Sequence, residues 1–336
     1  MLRFKYPDVI DGSYASSAPL ELYSQEVDGS AYFDKITSVA DEVSEGCSDA
    51  VRSTLYDVRD ELLSDYQGKS VLGAVKAIGF CSSTFPTYIT DIEEFVSETI
   101  QYLIPAIFAD FNMGYYPPGH EKALARACSL FQEEQTSPTS KIRKFFELRN
   151  QVEYGNSDTC FDVSLEIPAG PNARIRGSDN SGSGGGLMGR IWEFQCCKDL
   201  IVKAGYSEES MFLPRPFSYD WHKENCLHRF PGITVDPYRL RDDWGFNNLT
   251  GTSRIFFANG MKDGWSAASI TDISKTEALH ELSVINFPNG AHHSELKSGP
   301  YPNPKETQDV LEGYQTVTDI LSSWLEEIQV VQQEHQ

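Results

Sequence analysis

The sequence predicts an α/β fold in which a small sheet is interrupted by a long, mainly helical insertion. Three observations predict it. An apolar run starts at Val9-Ile10 and passes through small residues to Ala18-Pro19; helical periodicity then dominates from 30 to 205; short strand-like runs return only late, before a C-terminal amphipathic helix. Strand, helical insertion, strand, strand, helix is the order expected when a helical layer is inserted between neighbouring strands.

The first twenty residues read as the end of a helix stopped by Pro7, a turn and a strand. Ile36, Val39, Val43, Cys47, Val51, Leu55, Val58 and Leu62 recur every three or four residues, one face of amphipathic helix with a break near Gly46. Further helical pattern covers 69–80, 90–110, 120–132, 139–152 and 189–204, with Asp91 and Ser137-Pro138 as helix starts. Strands are expected at 254–258 and 282–287, where β-branched and aromatic residues are bounded by turn residues. Val310, Leu311, Tyr314, Val317, Ile320, Leu321, Trp324 and Ile328 form the stripe of the last helix. No internal repeat is present.

Composition narrows the function. The 336 residues are 40% apolar and 12% aromatic, enough to fill a sizeable core. The net charge of −21 lacks the basic footprint of a nucleic-acid binder and the polybasic stretch of a membrane-surface protein. Tyr102–Phe111 is the nearest approach to a membrane span and is interrupted by Pro105 and Asp110. Met1-Leu2-Arg3-Phe4-Lys5-Tyr6-Pro7 has no apolar signal-peptide core. The seven cysteines, at 47, 81, 128, 160, 196, 197 and 226, are too far apart for a C-x-x-C site. Their spacing suits buried thiols or long-range disulfides equally.

Several patterns carry less chemistry than they suggest. Gly184–Gly189 matches G-x-G-x-x-G, but a loop precedes it where a dinucleotide site needs a strand, so it reads as a linker. Ser13 has Asp11 and Ala15 where a nucleophile elbow needs glycines, and reads as a strand residue. His222, Cys226 and His228 lack a fourth ligand at a metal spacing, and no metal or cofactor is expected. Asn248-Leu249-Thr250 is a glycosylation sequon. The stronger signals are the adjacent His292-His293, after the strand at 282–287, and Asp263, after the strand at 254–258. That order and placement fit the base and acid of a serine-hydrolase triad on an α/β-hydrolase sheet, the acid accepting the imidazole Nδ1 proton.

These residues resemble a known family, the serine exopeptidases typified by lysosomal prolyl (Pro-X) carboxypeptidase, dipeptidyl peptidase II and thymus-specific serine protease. Lys5-Tyr6-Pro7, Asp11-Gly12 and Ala15-Ser16-Ser17-Ala18-Pro19 resemble the segment after that family's nucleophile helix. Trp192-Glu193-Phe194-Gln195-Cys196-Cys197 resembles W-x-Y-Q-x-C, and Phe257-Ala258-Asn259-Gly260 through Asp263-Gly264-Trp265-Ser266 resembles F-S-N-G-x-x-D-P-W-S. Gly290-Ala291-His292-His293-Ser294-Glu295-Leu296-Lys297 resembles G-A-H-H-L-D-L-R. Gly264 departs from the family's proline, and Ser294-Glu295 from its Leu-Asp.

The resemblance implies an α/β-hydrolase fold, here its C-terminal part with a partial sheet, carrying an inserted helical cap. Residues 1–21 would follow the nucleophile helix, 22–185 form the cap, and 186–336 carry the acid and base. Asp263 is the implied triad acid and His292 the base, with His293 structural and Trp265 lining the substrate pocket. Implied disulfides are Cys47–Cys128, Cys81–Cys160 and Cys197–Cys226, leaving Cys196 as a thiol. Substrates are expected to be short proline-containing peptides, in a lysosomal or secreted setting, with oligomeric state open, a homodimer included. Asp199 is a weak candidate for meeting a substrate amine.

The family's nucleophile lies in G-G-S-Y-G-G, and alignment through Lys5-Tyr6-Pro7 puts that serine roughly eight residues before Met1. The chain alone is therefore expected to lack the nucleophile and to be inactive. The second reading is a non-catalytic homologue acting as a binding protein; an esterase reading is weaker, because the Trp265 and His292 motifs resemble the peptidases.

Overall fold

The computed structural model describes residues 1–156, 159–163, 186–245, 249, 251–274, 282–296 and 305–334. Among the described residues three strands form one parallel sheet in the order β1 (Ser13–Ser16), β2 (Ile255–Gly260), β3 (Leu282–Phe287). Ser13 pairs with Ile255 and Ile255 with Leu282, so the register runs level across the sheet. A parallel strand covered on both faces reads as a continuous apolar run, and every residue of β2 is buried. Because side chains alternate, Phe256 and Ala258 face Phe287, Val310 and Trp324 on one side, while Ile255 and Phe257 face Leu249, Ile270 and Leu282 on the other.

The first strand begins later than the apolar run indicates. Val9 is 75% exposed, and β1 starts at Ser13, with Val9-Ile10 in the turn after helix α1 (Leu2–Lys5). The reason is Arg3. Its buried guanidinium donates to the carbonyls of Pro7 (2.7 Å), Ile10 (2.6 Å) and Ser253 (2.9 Å), holding that turn against the start of β2. With the Pro7 and Ile10 carbonyls taken by Arg3, and the Val9 and Ile10 N–H groups turned back to the Tyr6 carbonyl, these groups are not offered to the sheet.

After α2 (Leu20–Tyr23) the chain enters the helical layer: α3 (Ala31–Val43), α4 (Cys47–Tyr66) and α5 (Leu72–Ala77). The break between α3 and α4 falls at Gly46, whose φ of +75° suits glycine. Next come α6 (Ile92–Glu94), a π-helical stretch Phe95–Ile100, α7 (Gln101–Met113), α8 (Ala123–Phe131) and α9 (Pro138–Tyr154). Asp91 and Ser137 cap their helices by accepting the Glu94 and Ser140 N–H groups, as their sequence positions predict. One apolar cluster, from Tyr32 to Val163, fills this layer and draws in Tyr206, Met211, Phe212 and Leu213.

Helix α10 (Gly186–Lys198) ends earlier than the predicted 189–204, where Asp199 and Leu200 N–H groups both turn back to the Gln195 carbonyl. Two short polar helices follow that periodicity does not reveal, α11 (Tyr219–Arg229, capped by Ser218) and α12 (Arg239–Trp244). Helix α13 (Gln308–Glu334) covers one sheet face. No helix of the described residues is long and apolar enough to cross a membrane.

Three disulfides join Cys47 to Cys128, Cys81 to Cys160 and Cys197 to Cys226, the pairs the resemblance implies, and Cys196 is a free thiol. The first two close loops of 81 and 79 residues inside the helical layer. Each contributes up to about 4 kcal/mol in the chain-entropy account.

Candidate active site

Two loops leave the C-terminal ends of adjacent strands, where parallel sheets collect their functional groups. The first follows β2. Gly260 ends that strand against the second loop, so close that a Cβ there would lie 2.2 Å from the Ala291 carbonyl oxygen. Met261 N–H donates to the Phe287 carbonyl and Lys262 N–H to the Gly290 carbonyl, each at 2.9 Å. The loops are thus joined backbone to backbone before either side chain acts.

Asp263 comes next, 1% exposed, at the start of a 3₁₀ turn (Gly264–Ala268). Its two oxygens have separate tasks. Oδ1 accepts the Trp265 N–H at 3.1 Å, which orients the carboxylate, and Oδ2 lies 2.8 Å from His292 Nδ1. A carboxylate beside Nδ1 holds the proton there and leaves Nε2 unprotonated, able to accept. His292 is 24% exposed on its side chain, so the carboxylate is buried while the imidazole reaches the surface.

Around Asp263 the helical layer closes in. The Trp265 ring lies 4.1 Å from that of Tyr32, which burial and the nearby Asp263 charge keep protonated well above the usual phenol range. At Gly264, where the resemblance implies proline, α3 fills the space: a Cβ there would meet Tyr32 at 2.7 Å and Ile36 at 2.9 Å. Asn112, at the end of α7, donates from Nδ2 to the Lys262 carbonyl (2.8 Å) and accepts the Gly264 N–H on Oδ1 (2.9 Å).

The second loop is held from the sheet. The His293 ring lies 3.9 Å from that of His292, and its Nδ1 is 2.8 Å from Ser16 Oγ on β1. Ser16 in turn donates to Glu295 Oε1, which also accepts from the Tyr14 hydroxyl at 3.3 Å. Glu295 is 3% exposed, and burial raises its carboxyl above the ordinary range. Tyr314 of α13 donates to the Glu295 carbonyl at 2.6 Å. His293 sits at φ +51°, a left-handed backbone unusual outside glycine, and its N–H donates to Ser17 Oγ.

The other sequence candidates lie apart from this pair. Asp199 pairs with Arg239 at 3.4 Å. Cys226 is bridged to Cys197, and His222 Nε2 stands 3.6 Å from Cys226 Sγ; with both sulfurs in the bridge, neither is a thiolate ligand. Asn248 lies outside the described residues. Sequence reasoning missed Asn112, Tyr32, Ser16 and Glu295 as supports. The last two stood inside quoted motifs, whereas Asn112 and Tyr32 occupied helical stretches without one.

Known proteins resemble this chain along most of its length. Lysosomal Pro-X carboxypeptidase of Bos taurus is 23% identical over 310 residues, covering 91% of this chain and 57% of its own length. The Homo sapiens protein of the same name is 21% identical over 299 residues, 88% of this chain and 55% of its own. Prolyl carboxy peptidase like protein 5 of Caenorhabditis elegans is 24% identical over 345 residues, 97% of this chain and 62% of its own. The chain thus spans a little over half the length of these relatives. The sequence pattern of serine carboxypeptidase S28 matches residues 1–312, which takes in both loops and the strands beneath them. With that match over most of its length, the chain belongs to the serine carboxypeptidase S28 family.

Proposed function

We propose that this chain supplies the acid and base of a serine-type exopeptidase acting on proline-containing peptides, with Asp263 and His292 as two members of the triad. The observation that carries the reading is the 2.8 Å contact of buried Asp263 Oδ2 with His292 Nδ1. The triad's third member is a serine in a segment N-terminal to Met1, as the family resemblance implies. In the reaction that serine attacks the scissile carbonyl while His292 Nε2 takes its proton. The imidazolium formed is stabilised by Asp263 and returns the proton to the departing amine. Trp265, backed by Tyr32, offers a flat aromatic wall suited to a proline ring. The names of the relatives favour carboxypeptidase action at proline, and with the three disulfides they favour a lysosomal or secreted setting.

Two measurements test this. The chain as it stands is expected not to react with a fluorophosphonate probe; stoichiometric labelling that is lost on His292→Ala overturns the upstream nucleophile. A longer protein bearing an in-frame G-x-S-Y-G-G before Met1 is expected to release the residue following proline from a short peptide. Asp263→Asn should lower its kcat roughly 10⁴-fold by favouring the wrong imidazole tautomer. Hydrolysis unaffected by that change overturns the assignment of the acid.

A further inference from the structure

We infer that Asn112 is a positioning residue for Asp263, an inference that rests on the acid–base reading just given. Asn112 is 0% exposed and stands at the end of α7, in the helical layer rather than in the sheet that carries the acid. Its amide meets the two peptide groups on either side of Asp263, the Lys262 carbonyl and the Gly264 N–H. The orientation of the amide is dictated by these partners, since a carbonyl only accepts and an N–H only donates.

The consequence follows from backbone geometry. Asp263 adopts φ −84° and ψ 131°, the extended conformation from which its Oδ1 reaches the Trp265 N–H. That bond commits one carboxylate oxygen and leaves Oδ2 aimed at His292. Fixing the peptide planes before and after Asp263 fixes φ and ψ, and with them the direction of the Cα–Cβ bond. Asn112 bonds both planes with one side chain from the helical layer, alongside the loop's own bonds from Asp263 N–H to the Gly260 carbonyl and from Ser266 to the Asp263 carbonyl. The helical layer also packs Tyr32 and Ile36 against Gly264, and its ion pair to this loop, Lys262 to Glu42 at 2.9 Å, joins partly exposed groups and constrains neither plane. The acid is therefore aimed by a helix outside the sheet.

The test uses the chain itself, ¹⁵N-labelled at histidine, so it needs no nucleophile. Wild type is expected to show a downfield Nδ1 proton resonance that disappears in His292→Ala. In Asn112→Ala this resonance should be lost and the ¹⁵N shifts of His292 should move toward the Nε2–H tautomer, while near-UV circular dichroism is retained. Asn112→Asp keeps the acceptor for Gly264 N–H and removes the donor to Lys262; it covers the case in which the alanine variant fails to fold, and should weaken the resonance and move it upfield. Glu42→Ala, which cuts only the ion pair, should leave it in place. A wild-type resonance unmoved in a folded Asn112 variant overturns the inference. Its absence from wild type overturns the pairing of Asp263 with His292 beneath it.

Discussion

The loop carrying Asp263 and the loop carrying His292 leave neighbouring strands, yet different parts of the molecule hold them. The acid loop is fixed by neutral means: the fit of Gly264 against Tyr32 and Ile36, and the Asn112 amide. The base loop is fixed by a polar cluster in which a buried carboxyl, Glu295, supports Ser16, which meets His293. Shape therefore governs one side of the pair and protonation the other. The sensitivity to packing changes and the sensitivity to pH should separate along the same line.

The most severe way to break this division is at the joint the loops share. Gly260→Ala places a Cβ 2.2 Å from the Ala291 carbonyl oxygen and 2.7 Å from the Gly290 carbonyl carbon, both backbone atoms with little room to yield. A loss of about 3 kcal/mol is expected in urea unfolding. A loss near zero would mean the loops slide freely past each other.

Gly264→Ala should cost less, about 1–2 kcal/mol, because its neighbours are side chains that can shift. Thermal melts of the double variant Gly264→Ala/Tyr32→Leu should show part of that loss recovered if Tyr32 is the obstruction, and strict additivity would place the strain elsewhere.

Glu295→Gln probes the base side. Burial raises the native carboxyl above its unfolded value, so the native state holds the proton more tightly. The stabilisation this gives is complete below the ordinary glutamate range and lost as pH rises through the raised native value. Measured against wild type, Glu295→Gln should therefore be relatively more stable at pH 7 than at pH 4, by on the order of 1 kcal/mol. The same comparison on Asn112→Ala should show no such pH dependence.

The smallest effect is expected at Cys196, which belongs to neither loop. Burial pushes its thiol up to about 12. Alkylation by iodoacetamide at pH 8 should run roughly a hundredfold or more slower than that of a free thiol, and rapid labelling would show the α10 surface opening.

The legible parts of the sequence were those where one local pattern decided the outcome. Periodicity and Gly46 marked the α3–α4 break, Ser137-Pro138 marked the start of α9, and the β-branched run marked β3 to the residue. The strand that began at Ser13 instead of Val9 was hidden because the Arg3 guanidinium of the preceding helix claims the turn, which no apolar pattern reveals. Helices α11 and α12 were hidden because α11 is largely polar and exposed and α12 is only six residues long with a single buried side chain, leaving no apolar stripe to count. The meeting of Asp263 with His292 was signalled because each follows a strand within a specific motif. Asn112 was not: it lies amid the apolar run of α7, and only tertiary contact with the acid loop distinguishes it from a buried helix residue.

The pairing of Ser13 with Ile255 bears on how the molecule forms. The helical layer between them builds its contacts locally and is cross-linked within itself, whereas none of the three disulfides ties β1 to β2. A loop about threefold longer than the two that Cys47–Cys128 and Cys81–Cys160 close costs only about 1 kcal/mol more to bring together, but such distant pairings form slowly. The sheet should therefore assemble last, onto a helical layer already native, and the meeting of Asp263 with His292 should be a late event in folding.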